Sequence, residues 1–151
     1  YLEERRGLGK KMASGYYFVI VGHGDNPLFE LENSTKTSDK SDDKKSLNQF
    51  VAHAALDLVD EATWQTGNLY LKTVDKFNDS TVTGFVTASH MRFLLLHDGQ
   101  SRGSDTIRNF FTDMYDAFVK AALNPFYVPN TPITSIHFKR KAQQIAKKHL
   151  N

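Results

Sequence analysis

Cysteine is absent from the 151 residues. That excludes a disulfide framework, a thiolate-ligated zinc or iron–sulfur site, a thiol nucleophile and S-palmitoylation. Long hydrophobic runs are missing too, since none approaches the roughly 18 residues that span a bilayer. The first residues hold charge, Glu3 to Arg6, where a secretory signal needs an apolar segment, so no such signal is expected. Charge of one sign is also lacking. The formal net charge is +2, yet residues 1–11 contribute four basic groups (Arg5, Arg6, Lys10, Lys11) against two acids, and the remainder balances at 15 of each. The pI of 8.8 is therefore partly a property of a short leader. A whole-surface nucleic-acid footprint is not supported, and nucleic acid is not an expected partner.

What is present reads as one globular domain. Hydrophobic residues make up 40% and charged residues 24%, which fits a chain that buries a single core. Met12, followed by Ala13, Ser14 and Gly15, reads as a start, so residues 1–11 are taken as an upstream extension and residues 12–151 as the single domain.

Tyr16 to Gly22 is aromatic and β-branched without polar alternation, which predicts a strand buried on both faces. His23 to Pro27 is dense in turn chemistry, and Leu28, Phe29 and Leu31 follow among Glu30 and Glu32; together these predict a hairpin. Asn33 to Ser46 has no apolar residue and is expected to be a mobile loop. The sequons at Asn33 and Asn78 are expected to go unused. Leu47 to about Thr63 predicts a helix, with Leu47, Phe50, Val51, Ala54, Ala55, Leu58 and Val59 inward and Ser46 as its N-cap. Its outer face would carry Gln49, His53, Leu56, Asp57 and Asp60. Three strand-like runs follow, 69–77, 81–89 and 91–97, joined by short connectors as an antiparallel meander. The apolar stretch Met91 to Leu96 is expected to be central. Asp98 to Gly103 is a loop. Ile107, Phe110, Phe111, Met114, Tyr115, Phe118 and Val119 mark one face of a second helix, stopped by Asn124-Pro125. A third helix, from Ser135 to about His149, turns Phe138, Ala142, Ile145 and Ala146 inward. The fold class is α+β, in the order β-β-α-β-β-β-α-α. A lone hairpin is marginal in water, so the five strands must share one antiparallel sheet with helices packed on it.

No constellation carries catalytic chemistry. Gly22-His23-Gly24 is a lone Gly-x-Gly whose glycines the turn explains. The six histidines, His23, His53, His90, His97, His137 and His149, show no metal-ligand spacing. Ser89, His90 and Asp98 are turn residues at strand ends rather than a triad. Asp57 and Asp60 sit on a solvated helix face, which outweighs an acid–base role. No catalytic residue, metal site or cofactor is expected, and a small hydrolase is the weakest reading. Two surfaces remain. One is the outer face of the first helix, with Gln49, His53, Leu56, Asp57 and Asp60 as partner-binding candidates. The other is the cationic third helix, where Lys139, Arg140, Lys141, Lys147 and Lys148 could meet an anionic surface, although cations near a helix C-terminus also suit the dipole. The connector Asn124 to Pro129 adds Phe126, Tyr127 and Val128, with Phe126 expected to be buried beneath it.

Longer words in the sequence point further. Tyr17-Phe18-Val19-Ile20-Val21-Gly22-His23 with Asp25-Asn26-Pro27, Leu47-Asn48-Gln49-Phe50, His53 through Glu61 and Tyr70 through Asn78 resemble the sedlin family of TRAPP complex subunits. So do His90-Met91-Arg92-Phe93, Leu96-His97-Asp98, Asn109 through Asp113, Asn124-Pro125-Phe126-Tyr127 and Lys147-Lys148-His149-Leu150. The likeness covers roughly nine-tenths of the chain and departs at residues 1–11, 33–46 and 100–104. It implies a longin-like (SNARE-like) fold. It implies a non-catalytic adaptor in a vesicle tether and Rab guanine-nucleotide exchange complex of ER-to-Golgi transport. The partners would be core and larger peripheral subunits. The place would be cytoplasmic and perinuclear, peripheral to the ER–Golgi intermediate and cis-Golgi membranes, with a nuclear pool allowed. Membrane association would be indirect or weak. The alternative is a stand-alone membrane- or phosphoinositide-binding longin-like module.

Overall fold

The computed structural model describes residues 16–32, 38–67, 69–77, 80–98 and 104–150. The leader at 1–11, the first part of the polar loop, the sequon at Asn33, most of that at Asn78, and residues 99–103 lie outside the described residues.

Strands β1 (Tyr16–Val21) and β2 (Pro27–Glu32) are followed by helix α1 (Ser38–Gln65). Strands β3 (Tyr70–Phe77), β4 (Ser80–Val86) and β5 (Arg92–Asp98) come next, then helices α2 (Ser104–Ala122) and α3 (Ile136–Leu150). All five strands form one antiparallel sheet in the order β2-β1-β5-β4-β3. β1 and β5, the two continuous apolar runs, are the inner strands, with Phe18 opposite Leu95 and Ile20 opposite Phe93. Every residue of β1 after Tyr16 is buried. That follows from helices covering both faces, which removes the need for polar alternation.

Alternation along the strands sends side chains to two separate cores. Phe18, Ile20, Phe93 and Leu95 face α2 and α3, while Tyr17, Val19, Val21, Leu94 and Leu96 face α1. On the first side Phe93 lies edge-on to Phe18 (5.9 Å, 77°) and Phe118 (5.6 Å, 86°), and Phe85 stacks on Phe111 at 5.7 Å. The periodicity of α2 works as expected: Ile107, Phe110, Phe111, Met114 and Phe118 are all buried. α3 packs on α2, and its Phe138 meets Phe29 of β2 edge-on at 4.8 Å. Ser135 caps α3, its Oγ accepting the Phe138 N–H at 3.3 Å.

α1 departs from the sequence reading in two ways. It begins at Ser38, so residues 38–46 are helical rather than loop and Ser46 is interior rather than a cap. Apolar periodicity reveals only helix that buries a face; a polar extension of an already nucleated helix adds one bond per residue without such a mark. The inward stripe is also different: Val51, Ala52, Ala55, Leu56 and Val59 are buried, while Leu47 (45%), Phe50 (68%) and Leu58 (39%) are exposed. Apolar residues lie on two stripes of this helix, and the one carrying two alanines allows the closer approach to the sheet. Gly84 of β4 answers it, since a Cβ there would stand 2.9 Å from Val74 Cγ2 and 3.4 Å from Val59 Cγ2.

The connector between α2 and α3 corrects a further expectation. Phe126 is 92% exposed rather than buried. Its N–H is held by Asn124 Oδ1 at 3.0 Å in an Asx turn. Tyr127 turns in instead and donates its hydroxyl to Thr131 O at 2.8 Å.

Candidate partner-binding surface

α1 follows the edge strand β2 in the chain and packs most heavily on β3, the strand at the opposite edge. At 1.5 Å per residue its 28 residues span roughly 42 Å, about twice the width of five strands spaced near 4.8 Å. Its outward ridge is therefore long and open to solvent. Phe50, Asp57 and Trp64 recur every seven residues along it, within about 40° of one another on the helix wheel. Phe50 is 68% and Trp64 90% exposed. Between Leu47 and Gln65 there is no lysine or arginine, whereas Asp57, Asp60 and Glu61 are acidic. The result is an acidic ridge flanked by two large aromatic side chains. Aromatics at interface positions of this type supply large contact area.

Each candidate residue finds a distinct place. Gln49, His53 and Asp57 are exposed. Leu56 is 4% exposed and belongs to the core, so it leaves the surface set. The reason is the helix phase described above. Asp60 is exposed but already engaged: its carboxylate accepts Arg92 Nη1 at 3.3 Å. His53 and Asp57 make no hydrogen bond or ion pair among the described residues. Phe50 and Trp64 were not singled out as surface residues from the sequence, although their spacing from Asp57 on the helix wheel was available there.

Arg92 is the residue that sequence reasoning missed. Only 7% exposed, it opens β5 and reaches across to the β1–β2 turn. Its Nη2 donates to Gly22 O at 2.8 Å and pairs with Asp25, while Nη1 holds Asp60. One guanidinium thus ties the sheet, the turn and α1 together. Asp25 accepts φ = 59°, a left-handed conformation that aspartate tolerates. Gly22 is explained by space rather than by φ, because a Cβ there would meet Asn130 Oδ1 at 2.2 Å. Asn130 Oδ1 in turn accepts the His23 N–H at 2.9 Å, which fastens the α2–α3 connector to this turn.

Beside the ridge, Tyr17, Glu30 and Gln49 form a polar group. Gln49 Nε2 donates to Glu30 Oε2 at 3.1 Å. Burial, then the charge of Glu30 and a hydrogen bond to it, pushes the Tyr17 hydroxyl well above its ordinary pKa, so it stays protonated.

The cationic residues of α3 do not converge. All five, Lys139, Arg140, Lys141, Lys147 and Lys148, are exposed. Lys141 and Lys148 line a cleft of about 330 Å³ between α2 and α3, opposite Asp113 and Asp116. Arg140 and Lys147 lie about 100° away around the helix, and Lys139 lies on a third side. Nearby, His149 Nε2 meets Asp113 Oδ2 at 2.6 Å and joins the two helices. Ser89 Oγ bonds Thr87 Oγ1 at 3.0 Å, and His90 (φ 63°) closes the β4–β5 turn through its N–H to Thr87 O. No group of three or more possible metal ligands occurs among the described residues. Nor is any described helix long and apolar enough to cross a membrane.

An antiparallel sheet with one helix on one face and two on the other defines a longin-like domain. The family profile described as Sedlin matches residues 20–148. The chain is 48% identical over 138 residues to a probable trafficking protein particle complex subunit 2 of Drosophila melanogaster, covering 91% of this chain and 98% of that protein. It is 43% identical over 138 residues to the protein of the same name in Caenorhabditis elegans (90% and 96% covered). It is 40% identical over 136 residues to the transport protein particle 20 kDa subunit of Schizosaccharomyces pombe (89% and 98% covered). The chain belongs to the sedlin family, whose members are non-enzymatic components of a trafficking complex.

Proposed function

We propose that this protein is an adaptor subunit of the trafficking protein particle (TRAPP) complex, joining core to larger peripheral subunits in ER-to-Golgi vesicle transport. Support comes from the names of its relatives, which are subunits of that complex. The observation that carries the adaptor role is the α1 ridge, where Phe50, Asp57 and Trp64 face solvent in line. Asp57 stands between the aromatics and is unpaired among the described residues, so a partner cation can meet it at little desolvation cost. His53 and Gln49 extend the contact to one side. The protein would act at the cytoplasmic surface of the ER–Golgi intermediate and cis-Golgi membranes, held there through its partners.

Asp57→Tyr tests this reading. The exposed site should tolerate the ring, with stability within about 0.5 kcal/mol of wild type. Co-purification from cells should lose one subset of complex subunits and keep the others. Full co-purification of every subunit would remove Asp57 from the interface. A stand-alone lipid-binding module is the weaker reading, because the α3 cations diverge and two of them face carboxylates. Flotation of the isolated chain with anionic vesicles across a salt series separates the two readings, since strong, salt-sensitive binding belongs to the second.

A further inference from the structure

α1 packs most heavily on β3 and less on β4 and β5; it buries Tyr17, Val19 and Val21 of β1 but leaves Pro27 and Glu30 on the β1–β2 side of the same sheet face within reach of solvent. A groove of about 390 Å³ runs between that side and the helix. Val19, Val21 and Leu56 are among the apolar residues at its base, and Phe50 stands at its outer wall. Glu30 lies directly opposite Val19 in the β1–β2 register, and Glu32 opposite Tyr17, so both carboxylates belong to this face.

The two ends of the groove differ in charge. At the turn, Asp25 is matched by Arg92. Along β2, Glu30 takes donors from Gln49 and Tyr17 but forms no ion pair among the described residues, and neither does Glu32. Among the described residues the groove lining holds no lysine or arginine. An ionised carboxylate has about four acceptor positions, so Glu30 retains capacity after those two bonds. Its negative charge sits beside apolar surface, where a cation is attracted more strongly than in open water.

We propose that this groove seats a segment of a partner polypeptide that lays an apolar side chain against Phe50 and Pro27 and sets a lysine or arginine against Glu30. The proposal rests on the adaptor reading and deepens it by naming the chemistry of one partner segment. Charge complementarity selects this occupant: an acidic segment or a phosphate would face Glu30 and Glu32 beside a lining with no lysine or arginine among the described residues.

Random peptides displayed on phage, panned against the full chain, provide the test. The peptides retained should carry lysine or arginine next to leucine, isoleucine, valine or phenylalanine. Synthetic copies should bind wild type about tenfold more tightly than Glu30→Lys and should weaken as salt rises. Phe50→Asp, at an exposed position that leaves the fold intact, should weaken the same peptides. Enrichment of acidic or uncharged sequences, or equal binding by Glu30→Lys and Phe50→Asp, would overturn the proposal. So would concentration-dependent dimerisation of wild type that Glu30→Lys abolishes, because a second copy of the chain would then be the occupant. The Asp57→Tyr co-purification reports on the ridge alone, so the groove can fail while the adaptor reading stands.

Discussion

On the face of the sheet beneath α2 and α3, Phe18, Phe85, Phe93, Phe110 and Phe111 meet ring against ring. On the opposite face, valines, alanines and leucines lie under a single helix, with Tyr17 the one aromatic in that cluster. The first face is closed by two helices that pack on each other. The second is covered over β3 to β5 and open toward β2. The aromatic face therefore supplies most of the burial that holds the domain together, because each large ring removes 150–250 Å² from water. The aliphatic face keeps a ridge and a groove for other molecules. Stability and recognition are divided between the two sides of one sheet.

The comparison can be broken most severely at Phe93, which is fully buried and central to the aromatic face. Phe93→Ser should cost about 3–5 kcal/mol through lost burial and a hydroxyl placed in the core. For a chain of this size that lowers the melting temperature by roughly 10 °C or more, and partner binding is lost wholesale with the fold. A wild-type melting curve would contradict the central position of β5.

Arg92→Met comes next. The carboxylates of Asp25 and Asp60 are each 54% exposed and can turn to water, so their share of the loss is small. The buried Gly22 carbonyl keeps the Asp25 N–H but loses its charged donor, a bond worth about 1.5–3 kcal/mol. Amide exchange should quicken in the 22–26 turn ahead of the aromatic core; uniform change across the sheet would argue against a local role. Gly84→Ala probes the aliphatic face. Val74 Cγ2 stands 2.9 Å from where the new Cβ must go, with Val59 Cγ2 in contact at 3.4 Å behind it, so about 1–2 kcal/mol should be lost by urea unfolding. An unchanged midpoint would mean that Val74 of β3 and Val59 of α1 do not close so tightly over β4. Phe50→Ser should move stability least, by no more than about 0.5 kcal/mol, because its ring is already in water. A larger loss would show that this side of α1 is covered.

The aromatic face was legible in the sequence and the aliphatic face only partly so. α2 carries one apolar stripe against a polar remainder, and its phase follows from spacing alone. α1 has Leu47, Phe50, Ala54 and Leu58 on one stripe and Val51, Ala52, Ala55, Leu56 and Val59 on another, so 3.6-residue periodicity admits two phases. What decides between them is which stripe meets the sheet, and that is known only once the strands are paired. Phe126 shows the same limit, because an Asx turn at Asn124 settled its exposure. Arg92 was illegible for a related reason: its partners lie 32, 67 and 70 residues away in the chain. Of the candidate surface, Gln49, His53 and Asp57 are solvent-facing as the helix pattern suggested, while Leu56 followed the misjudged phase inward.

The strand order also sets a timetable. β1 is made first and β5 last, yet they are neighbours at the centre of the sheet. Arg92, at the start of β5, follows Gly22 by 70 residues. At about 5–20 residues per second of synthesis, the hairpin of β1 and β2 waits roughly 4–14 s for the strand that completes it. Through that interval one edge of β1 is unpaired, and both its faces, aromatic and aliphatic, are exposed to water. A newborn chain of this protein is thus most vulnerable to wrong strand pairing before β5 leaves the ribosome. Slowing translation between residues 22 and 92 should raise the aggregated fraction without altering any contact of the finished fold.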